Sequence, residues 1–424
     1  MSRQPAASRN PWMFVPTLYF AEGLPYIIIN TVSVILYKKM GIDNASIAFW
    51  TSWLYFPWVV KMFWGPLVDL YSTKRRWILY MQFAMAICLF FTAYALNTKG
   101  YFFLSLAAFV AGAFVSATHD IATDGFYMLV LSKEDQALFV GIRATFYRLA
   151  MIFGSGLLVY AAGRIETLTG NIPLSWTVVI GATGFVFVLV PLYHTFVLPF
   201  SAKDIKRSPR DATSEVPFVE IFRSYFKQEK IGAIIAFILL YRFAEAILLK
   251  LVPPFLLDPK DAGGLGLSTQ QVGLVYGMVG IICLVVGGIL GGWLISRFGL
   301  KKCIWPMAIA LNFPDLFYVY MAYAQPEIEL VYVLVALEQF GYGLGFTAFM
   351  VYLMYAARGR YKTSHFAIST GIMALGMMLP GFISGYLQQA VGYRMFFVIV
   401  CVLAIPGILT ILFIPKDEKK EDQC

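Results

Sequence analysis

Long apolar segments recur along this chain, and their length decides the class of structure that the chain can form. About twenty apolar residues in a helix span the hydrocarbon core of a bilayer, and we count twelve such segments. The first six run near 12–37, 44–70, 76–96, 101–131, 137–161 and 173–199. The second six run near 231–257, 269–296, 303–324, 328–357, 363–390 and 394–414. The sequence therefore predicts an all-α polytopic membrane protein with twelve transmembrane helices.

The positive charge of the chain is concentrated in one set of connections between these segments. Only 13% of the residues are charged, against about 25% in a typical soluble domain. If the N-terminus is cytoplasmic, 23 of the 33 Lys and Arg residues fall in cytoplasmic segments. Cytoplasmic loops of membrane proteins carry an excess of Lys and Arg, so we predict that both termini are cytoplasmic. The net charge of +9 reports this topology, and nucleic-acid binding is not expected.

The two sets of six segments resemble each other in sequence. The tripeptide Phe-Ala-Glu that ends at Glu22 recurs at Glu245, and Gly163 corresponds to Gly392, so the offsets are 223 and 229 residues. A parallel internal repeat of this kind is typical of transporters built from two bundles. The predicted units are an N-terminal six-helix bundle over 1–199, a basic cytoplasmic linker over 200–230 and a C-terminal bundle over 231–424.

Charged residues that fall inside the apolar segments mark the candidate site. A charge at bilayer depth costs roughly 2.5–3.5 kcal/mol on insertion scales, and such residues usually face a bundle interior or a watery cavity. Asp120 and Arg148 lie at equal distances from the hairpin that joins the fourth and fifth segments, so we predict that they form an ion pair. Asp124 follows one turn nearer the cytoplasm on the same helix face. The alternative is a buried ion pair that only fixes helix packing.

Two glutamates lie near mid-depth in the first and seventh segments, which line the central cavity of two-bundle carriers. Glu22 has no obvious local partner, which favours a titratable role. Arg242 lies one turn from Glu245, so an intrahelical pair is the alternative interpretation of that acid. We predict that Glu22, Asp120, Asp124 and Glu245 couple transport to protons.

Aromatic and polar side chains at similar depth are candidates for binding a polar cargo. Tyr19 and Tyr147 adjoin the mid-depth charges, and Asn30 lies two turns above Glu22 on the same helix. The full set of predicted substrate-binding residues is Tyr19, Asn30, Tyr147, Arg148, Tyr241, Arg242 and Gln339. For His119 we favour a hydrogen-bonded packing role. The five cysteines show no metal-ligand spacing, and we expect neither a metal site nor a cofactor.

Two loop motifs carry a resemblance to a known family. The pattern Gly-x-x-x-Asp-x(4)-Lys-Arg-Arg over 65–76 and its partner over 292–302 resemble the cytoplasmic loop motif of the major facilitator superfamily. Within that superfamily the chain is similar to the AmpG-type muropeptide permeases. The similar stretches are 18–25, 61–69, 116–121, 147–151, 240–245, 347–350 and 364–368. The chain departs from the permeases at His119, where they often have Gln, and at Arg242 and Glu245, where they often have Lys and Asp.

The resemblance implies a function. It implies a secondary active transporter in the bacterial inner membrane that imports a GlcNAc-anhydroMurNAc-like amino-sugar glycan or muropeptide by proton symport. It also implies that a gate at the cytoplasmic mouth clamps the bundles together. The predicted gating residues are Asp69, Lys74, Arg75 and Arg297. The expected partners are the cargo, protons and membrane lipid, and we expect a monomer.

Three other functions are alternatives to muropeptide import. Similar proteins import other oligosaccharides, or carry an anionic cargo such as acyl-coenzyme A. The anionic cargo would require a cluster of cations in the cavity, where Arg148 and Arg242 have nearby acids. A membrane-embedded enzyme is disfavoured because the acids lie at mid-depth and no large loop is present to hold a soluble substrate.

Overall fold

The first half of the chain forms six helical units, which we number α1 to α6. The computed structural model describes residues 10–201, 204, 218–357 and 361–415, and every regular element in those ranges is a helix. The units are α1 (Pro11–Lys39), α2 (Asn44–Ser52, Trp53–Tyr55 and Phe56–Tyr71), α3 (Lys74–Ala95), α4 (Tyr101–Val130), α5 (Glu134–Thr169) and α6 (Ile172–Val197).

The second half follows a short helix, Phe218–Phe226. Its units are α7 (Ile231–Leu257), α8 (Thr269–Phe298), α9 (Leu300–Asn312 and Asp315–Ala324), α10 (Ile328–Ala356), and α11 and α12, which together occupy Lys362–Leu409. Gly392 separates α11 from α12 with a φ of 72°, a conformation that glycine adopts without steric cost.

The all-helical membrane fold predicted from the sequence is confirmed. Among the described residues, nine helices are long and apolar enough to cross a membrane, and one of them, Ser364–Leu412, contains both α11 and α12. The count of twelve spans and the cytoplasmic location of the termini stay predictions. Residues 202–203 and 205–217 of the predicted linker 200–230 lie outside the described residues, and the predicted domain boundaries also stay predictions.

The two halves meet along three helix pairs, in which α5 packs against α8, α2 against α11 and α1 against α7. Small residues at such interfaces let two helix backbones approach closely. The contact between α5 and α8 is concentrated in Ile152–Leu158 and Gly273–Gly280, which are both wound as π-helix. Further along the same pair of helices, Arg148 of α5 lies beside Gly288 of α8.

Gly277 lies where α8 comes closest to α5, because a methyl group here would overlap the backbone of Ser155. We expect Gly277→Ala to destabilise the protein by about 1–3 kcal/mol, the usual cost of overpacking. The measurement is the melting temperature of the purified protein. Gly292→Ala is the control in the same helix, since no other atom lies within 4 Å of the added methyl group. Equal melting temperatures for the two variants would contradict this packing.

Candidate functional site

Three helices of the first half bring two acids and one lysine together inside the membrane segments. Asp120 of α4 forms an ion pair with Lys61 of α2, and their side chains are 20% and 29% exposed. Glu22 of α1 lies close enough to Asp120 for the two carboxyl groups to interact. The Oε2 atom of Glu22 has no hydrogen-bond partner among the described residues. We call Glu22, Lys61 and Asp120 the charged trio.

The predicted ion pair between Asp120 and Arg148 is wrong, because Lys61 is the partner of Asp120. Helix α5 instead directs Arg148 towards the second half. A methyl group built on Gly288 of α8 would lie 3.2 Å from Nη2 of Arg148. Within the part of the chain that the structure describes, Arg148 has no hydrogen bond or ion pair. It therefore lies at the boundary between the halves with its donors unused.

Asp124, one turn further along α4, belongs to a second polar group. Its Oδ1 accepts hydrogen bonds from the Tyr19 hydroxyl (3.0 Å) and from Nη1 of Arg143 (3.1 Å). Arg143 also donates to the hydroxyl oxygen of Tyr19 at 3.1 Å. Asp124 and Tyr19 were predicted from the sequence, but Arg143 was counted among the cytoplasmic charges. Asp124 and Arg143 lie at similar distances from the hairpin that joins α4 and α5. The argument that paired Asp120 with Arg148 therefore also predicts a contact between Asp124 and Arg143.

His119 belongs to a buried chain of polar side chains that joins four helices. Nε2 of Gln82 in α3 lies 3.0 Å from Nε2 of His119, and Oε1 of Gln82 lies 3.0 Å from Nδ1 of His194 in α6. Thr17 of α1 contacts Nε2 of His194 at 2.9 Å. Because each ring has a hydrogen-bond partner, the geometry agrees with a packing role for His119.

The second half holds three buried carboxyl groups, from Glu245 of α7, Asp315 of α9 and Glu338 of α10. The Tyr318 hydroxyl and Nε2 of Gln339 each donate to Oε2 of Glu338 at 3.0 Å. Both carboxyl oxygens of Glu245 and of Asp315 lack a hydrogen-bond partner among the described residues. The three acids are close enough for their charges to interact. Glu245 and Gln339 were predicted from the sequence as site residues, but Asp315 and Glu338 were not.

Arg242 contacts aromatic side chains of α10. It donates a hydrogen bond to the Tyr342 hydroxyl, and its guanidinium lies 4.8 Å from the ring centre of Phe346. The intrahelical ion pair with Glu245 is not found among the described contacts. Arg242 therefore stays a candidate for binding cargo.

Tyr241 is a packing residue in this structure. Its ring stacks on Phe349 with the ring centres 5.4 Å apart, and its hydroxyl donates to the carbonyl oxygen of Gly345 at 3.2 Å. The side chain is 1% exposed, and its polar atom is already bonded. We therefore leave Tyr241 out of the proposed cargo site.

Tyr147 and Asn30 both lie beside Tyr26 of α1. The ring centres of Tyr147 and Tyr26 are 6.3 Å apart. Nδ2 of Asn30 donates to the carbonyl oxygen of Tyr26 at 3.0 Å, and Oδ1 of Asn30 has no partner among the described residues. Asn30 also lines a cavity with Lys250 of α7 and Tyr276 of α8.

Two predicted gating residues, Lys74 and Arg75, make contacts inside the first half. Arg75 donates to the carbonyl oxygens of Thr195 (2.6 Å) and Leu198 (3.2 Å), so it holds the start of α3 against the end of α6. The backbone N–H of Lys74 donates to Oδ1 of Asp204 at 2.7 Å.

Of the other two predicted gating residues, only the side chain of Arg297 is described, and its described contact stays within its own half. Arg297 is exposed, and its guanidinium lies 5.8 Å from the ring centre of Trp293 in the same helix. The side chain of Asp69 lies outside the described part of the chain. A cytoplasmic clamp formed by the four residues stays a prediction.

Five polar side chains join the two halves at the predicted outer end. We call Lys38, Asn44, Asp258, Gln388 and Tyr393 the outer cluster. Asp258 pairs with Lys38 at 2.5 Å and accepts a hydrogen bond from the Tyr393 hydroxyl at 2.7 Å. Nδ2 of Asn44 donates to Oε1 of Gln388 (2.9 Å) and to the Tyr393 hydroxyl oxygen (2.8 Å). Lys38 and Asn44 come from the first half, so the cluster holds this end of the interface closed. The cluster was not predicted from the sequence, because its members are far apart along the chain.

Two more hydrogen bonds cross the interface beside the outer cluster. The Thr269 hydroxyl donates to Oε2 of Glu166 at 2.8 Å, and Nε2 of Gln389 donates to Oδ1 of Asp43 at 3.0 Å. Burial raises the pKa of Asp43, but the hydrogen bonds from Ser46 and Gln389 outweigh burial and hold that pKa below its ordinary value. Asp43 is therefore a charged acceptor at neutral pH, which strengthens the closure.

Asp258→Asn is expected to open the outer end. The substitution removes the charge that pairs with Lys38, and a hydrogen bond to a charged group contributes about 1.5–3 kcal/mol. We expect at least about a tenfold faster reaction of Asn30→Cys with a membrane-impermeant maleimide, in a background without the native cysteines. Asp261→Asn, an exposed acid nearby, is the matched control. An unchanged rate in Asp258→Asn would contradict the role of the cluster.

A comparison with protein families identifies the superfamily of this chain. The profile described as Major Facilitator Superfamily matches residues 17–360 and 238–423. The chain belongs to this superfamily. It is therefore a multi-pass membrane transporter and not an enzyme.

Relatives and solved structures agree with this superfamily assignment. The anhydromuropeptide permease of Escherichia coli K12 is 25% identical over 93% of this chain and 78% of its own length. Putative transporter AmpG 4 of Rickettsia conorii is 22% identical over 94% of both chains. These relatives confirm the predicted resemblance to AmpG-type permeases.

The nucleoside transporter NupG superimposes with a TM-score of 0.72 at 14% identity, covering 95% of this chain and 99% of its own. The D-xylose-proton symporter superimposes with a TM-score of 0.71 at 13% identity, covering 96% and 98%.

Proposed function

We propose that the protein imports an amino-sugar glycan or muropeptide across the bacterial inner membrane by proton symport and alternating access. The similarity to an anhydromuropeptide permease over 93% of this chain supports the cargo class. We propose further that it works as a monomer in the lipid bilayer, with the cargo and protons as its ligands.

The charged trio is the observation that carries the proposal. Glu22 is 7% exposed and lies beside Asp120, which is already paired with Lys61. Lys61 compensates one negative charge but not two, and an uncompensated buried carboxylate costs far more than a neutral carboxylic acid. The trio therefore binds one exchangeable proton, held between Glu22 and Asp120. Access of this proton to either side of the membrane changes as the halves rearrange.

The other two predicted proton-coupling residues take different roles. Glu245 occupies the place in α7 that Glu22 occupies in α1, and neither of its carboxyl oxygens has a described hydrogen-bond partner. We assign a second proton to Glu245. The side chain of Asp124 is 47% exposed and is bonded to Tyr19 and Arg143. We propose that Asp124 holds α1, α4 and α5 together.

Alternating access follows from contacts that exist in only one state, since such contacts bias the equilibrium between states. The outer cluster holds the outer end closed in the arrangement described here. In the opposite state we propose that Asp69, Lys74, Arg75 and Arg297 close the cytoplasmic end. The cargo would then lie between Arg148 and Arg242, beside the charged trio.

Uptake by proteoliposomes tests the proposal. We expect accumulation of GlcNAc-anhydroMurNAc when the outside is more acidic than the inside. For each proton that is coupled to a cargo molecule, a pH difference of one unit supplies about 1.4 kcal/mol and supports about tenfold accumulation. Collapse of the gradient by a protonophore should abolish accumulation. Accumulation that persists with the protonophore would refute proton coupling.

A carrier of an anionic cargo such as acyl-coenzyme A is the second candidate. It is favoured by Arg148 and Lys250, two cations with no ion-pair partner among the described residues. Thermal stabilisation by a panel of amino sugars and nucleotides separates the candidates. Stabilisation by acyl-coenzyme A but by no amino sugar would favour the second.

A further inference from the structure

A small cavity lies between the halves, on the outer side of the charged trio. Its volume is about 50 Å³, and its polar lining includes Asn30 and Tyr55 from the first half and Lys250 and Tyr276 from the second. A cavity needs only about 10–15 Å³ on this measure to hold a water molecule. The cavity therefore has room for a carboxylate group.

Lys250 is a buried lysine without an acid partner. Lys250 is 4% exposed. Its Nζ donates a hydrogen bond to Oγ1 of Thr51 at 3.0 Å and lies 5.0 Å from the ring centre of Tyr55. No described carboxylate forms an ion pair with it. A lysine ammonium has three N–H donors, and Thr51 uses one. A buried charge of this kind is strongly unfavourable unless an opposite charge accompanies it.

Asn30 supplies the complementary polar atom in the same cavity. The residue is 5% exposed, and the carbonyl oxygen of Tyr26 takes a hydrogen bond from Nδ2, which fixes the orientation of the amide. Oδ1 is left as an acceptor without a described partner. The cavity thus combines a cation with spare donors and a separate spare acceptor. A carboxylate that has an N–H or O–H donor on a neighbouring atom matches both.

We propose that this cavity is the subsite for a carboxylate of the cargo. Lys250 binds the anionic oxygens, and Oδ1 of Asn30 accepts a hydrogen bond from the adjacent N–H or hydroxyl group. This inference rests on the proposed function and narrows the cargo to acidic amino-sugar derivatives. Since Lys250 and Asn30 belong to opposite halves, a bound carboxylate bridges them and favours the arrangement in which the outer end is closed.

Binding of a matched ligand pair tests the subsite. N-acetylmuramic acid and its methyl ester differ by one negative charge, and their affinities are measured on the full-length protein in nanodiscs. We expect the wild type to bind the acid at least about tenfold more tightly than the ester, as for a charge-assisted hydrogen bond. Lys250→Met should bind both within about twofold, while Lys99→Met, an exposed control, should keep the preference. A ratio near one in the wild type, or a preference retained by Lys250→Met, would overturn the proposal.

Three further measurements complete the test. If Lys250→Met binds the ester as tightly as the wild type does, the variant is folded. If it does not, the comparison is repeated with Lys250→Gln. Acetate that stabilises the wild type as strongly as N-acetylmuramic acid would assign the site to a free anion and refute the cargo subsite. Uptake separates this proposal from the function on which it rests. Proton-driven uptake of GlcNAc-anhydroMurNAc by the wild type supports the function, and its absence refutes proton symport whatever the binding ratio.

Discussion

Replacing Lys61 with methionine is expected to slow proton-driven uptake by at least about thirtyfold while the protein stays in the membrane. Lys61 is the cation that pairs with Asp120, and Glu22 lies beside that pair. Without the lysine, both acids become neutral and the trio no longer holds a proton that it can release. The measurement is uptake in proteoliposomes, corrected for the amount of transporter.

The size of this effect follows from the burial of the pair. Removing one partner of a fully buried ion pair costs about 3–5 kcal/mol, whereas exposed pairs contribute about 0–1 kcal/mol. The side chains of Lys61 and Asp120 are 29% and 20% exposed, so we expect a cost between these limits, roughly 2–3 kcal/mol. In a transport rate this corresponds to a reduction of about thirty- to a hundred-and-sixtyfold.

A double substitution separates loss of the pair from general damage. Lys61→Met with Asp120→Asn removes both charges, so its melting temperature should lie closer to that of the wild type than the sum of the single effects predicts. Lys260→Met, at an exposed residue, is the matched control and should transport normally. Additive effects of the two single substitutions, or normal uptake by Lys61→Met, would contradict the role of the pair.

The fold was predictable because it depends on a property of whole segments. Each apolar run satisfies its own backbone hydrogen bonds as a helix, which the bilayer requires, so the positions of most helices follow from the sequence alone. Gly392 shows where this reasoning needs the structure. Predicted segments over 363–390 and 394–414 correspond to helices that meet at this residue without an intervening loop.

The site was less predictable because helix depth does not determine which way a side chain points. Asp120 and Arg148 lie at similar depth, but α5 directs Arg148 towards Gly288 of α8. Lys61 lies within the second apolar segment, and the rotation of α2 about its axis brings it to Asp120. Pairing between helices that are distant in sequence depends on their rotation about their own axes, which hydrophobic patterns do not fix for helices that are apolar on most sides.

The outer cluster shows the same limit more strongly. Asn44 contacts Tyr393 across 349 residues of sequence. The members of the cluster lie at or near helix ends, where they carry no periodic signal, and the positive charge among them was interpreted only as evidence of topology. Sequence patterns therefore indicate polar residues within the apolar segments more readily than contacts between helix ends that are distant in sequence.

Replacing Glu22 with glutamine is expected to uncouple transport from the proton gradient. Glutamine keeps the shape of the neutral glutamic acid but cannot release a proton, so the carrier should still exchange cargo between the two sides. It should lose the roughly tenfold accumulation that a pH difference of one unit supports. Counterflow and gradient-driven uptake are measured on the same proteoliposomes, and only the second should fail.

The comparison with the second half makes this test specific. Glu245→Gln changes the equivalent residue of α7, which has no lysine or arginine in an ion pair with it among the described contacts. If the proton is held by the charged trio, Glu22→Gln should remove accumulation, and Glu245→Gln should reduce it less. Glu329→Gln, at an exposed glutamate, should leave both activities unchanged. Full accumulation by Glu22→Gln would assign coupling to another acid, because glutamine keeps the shape of the neutral glutamic acid but cannot release a proton.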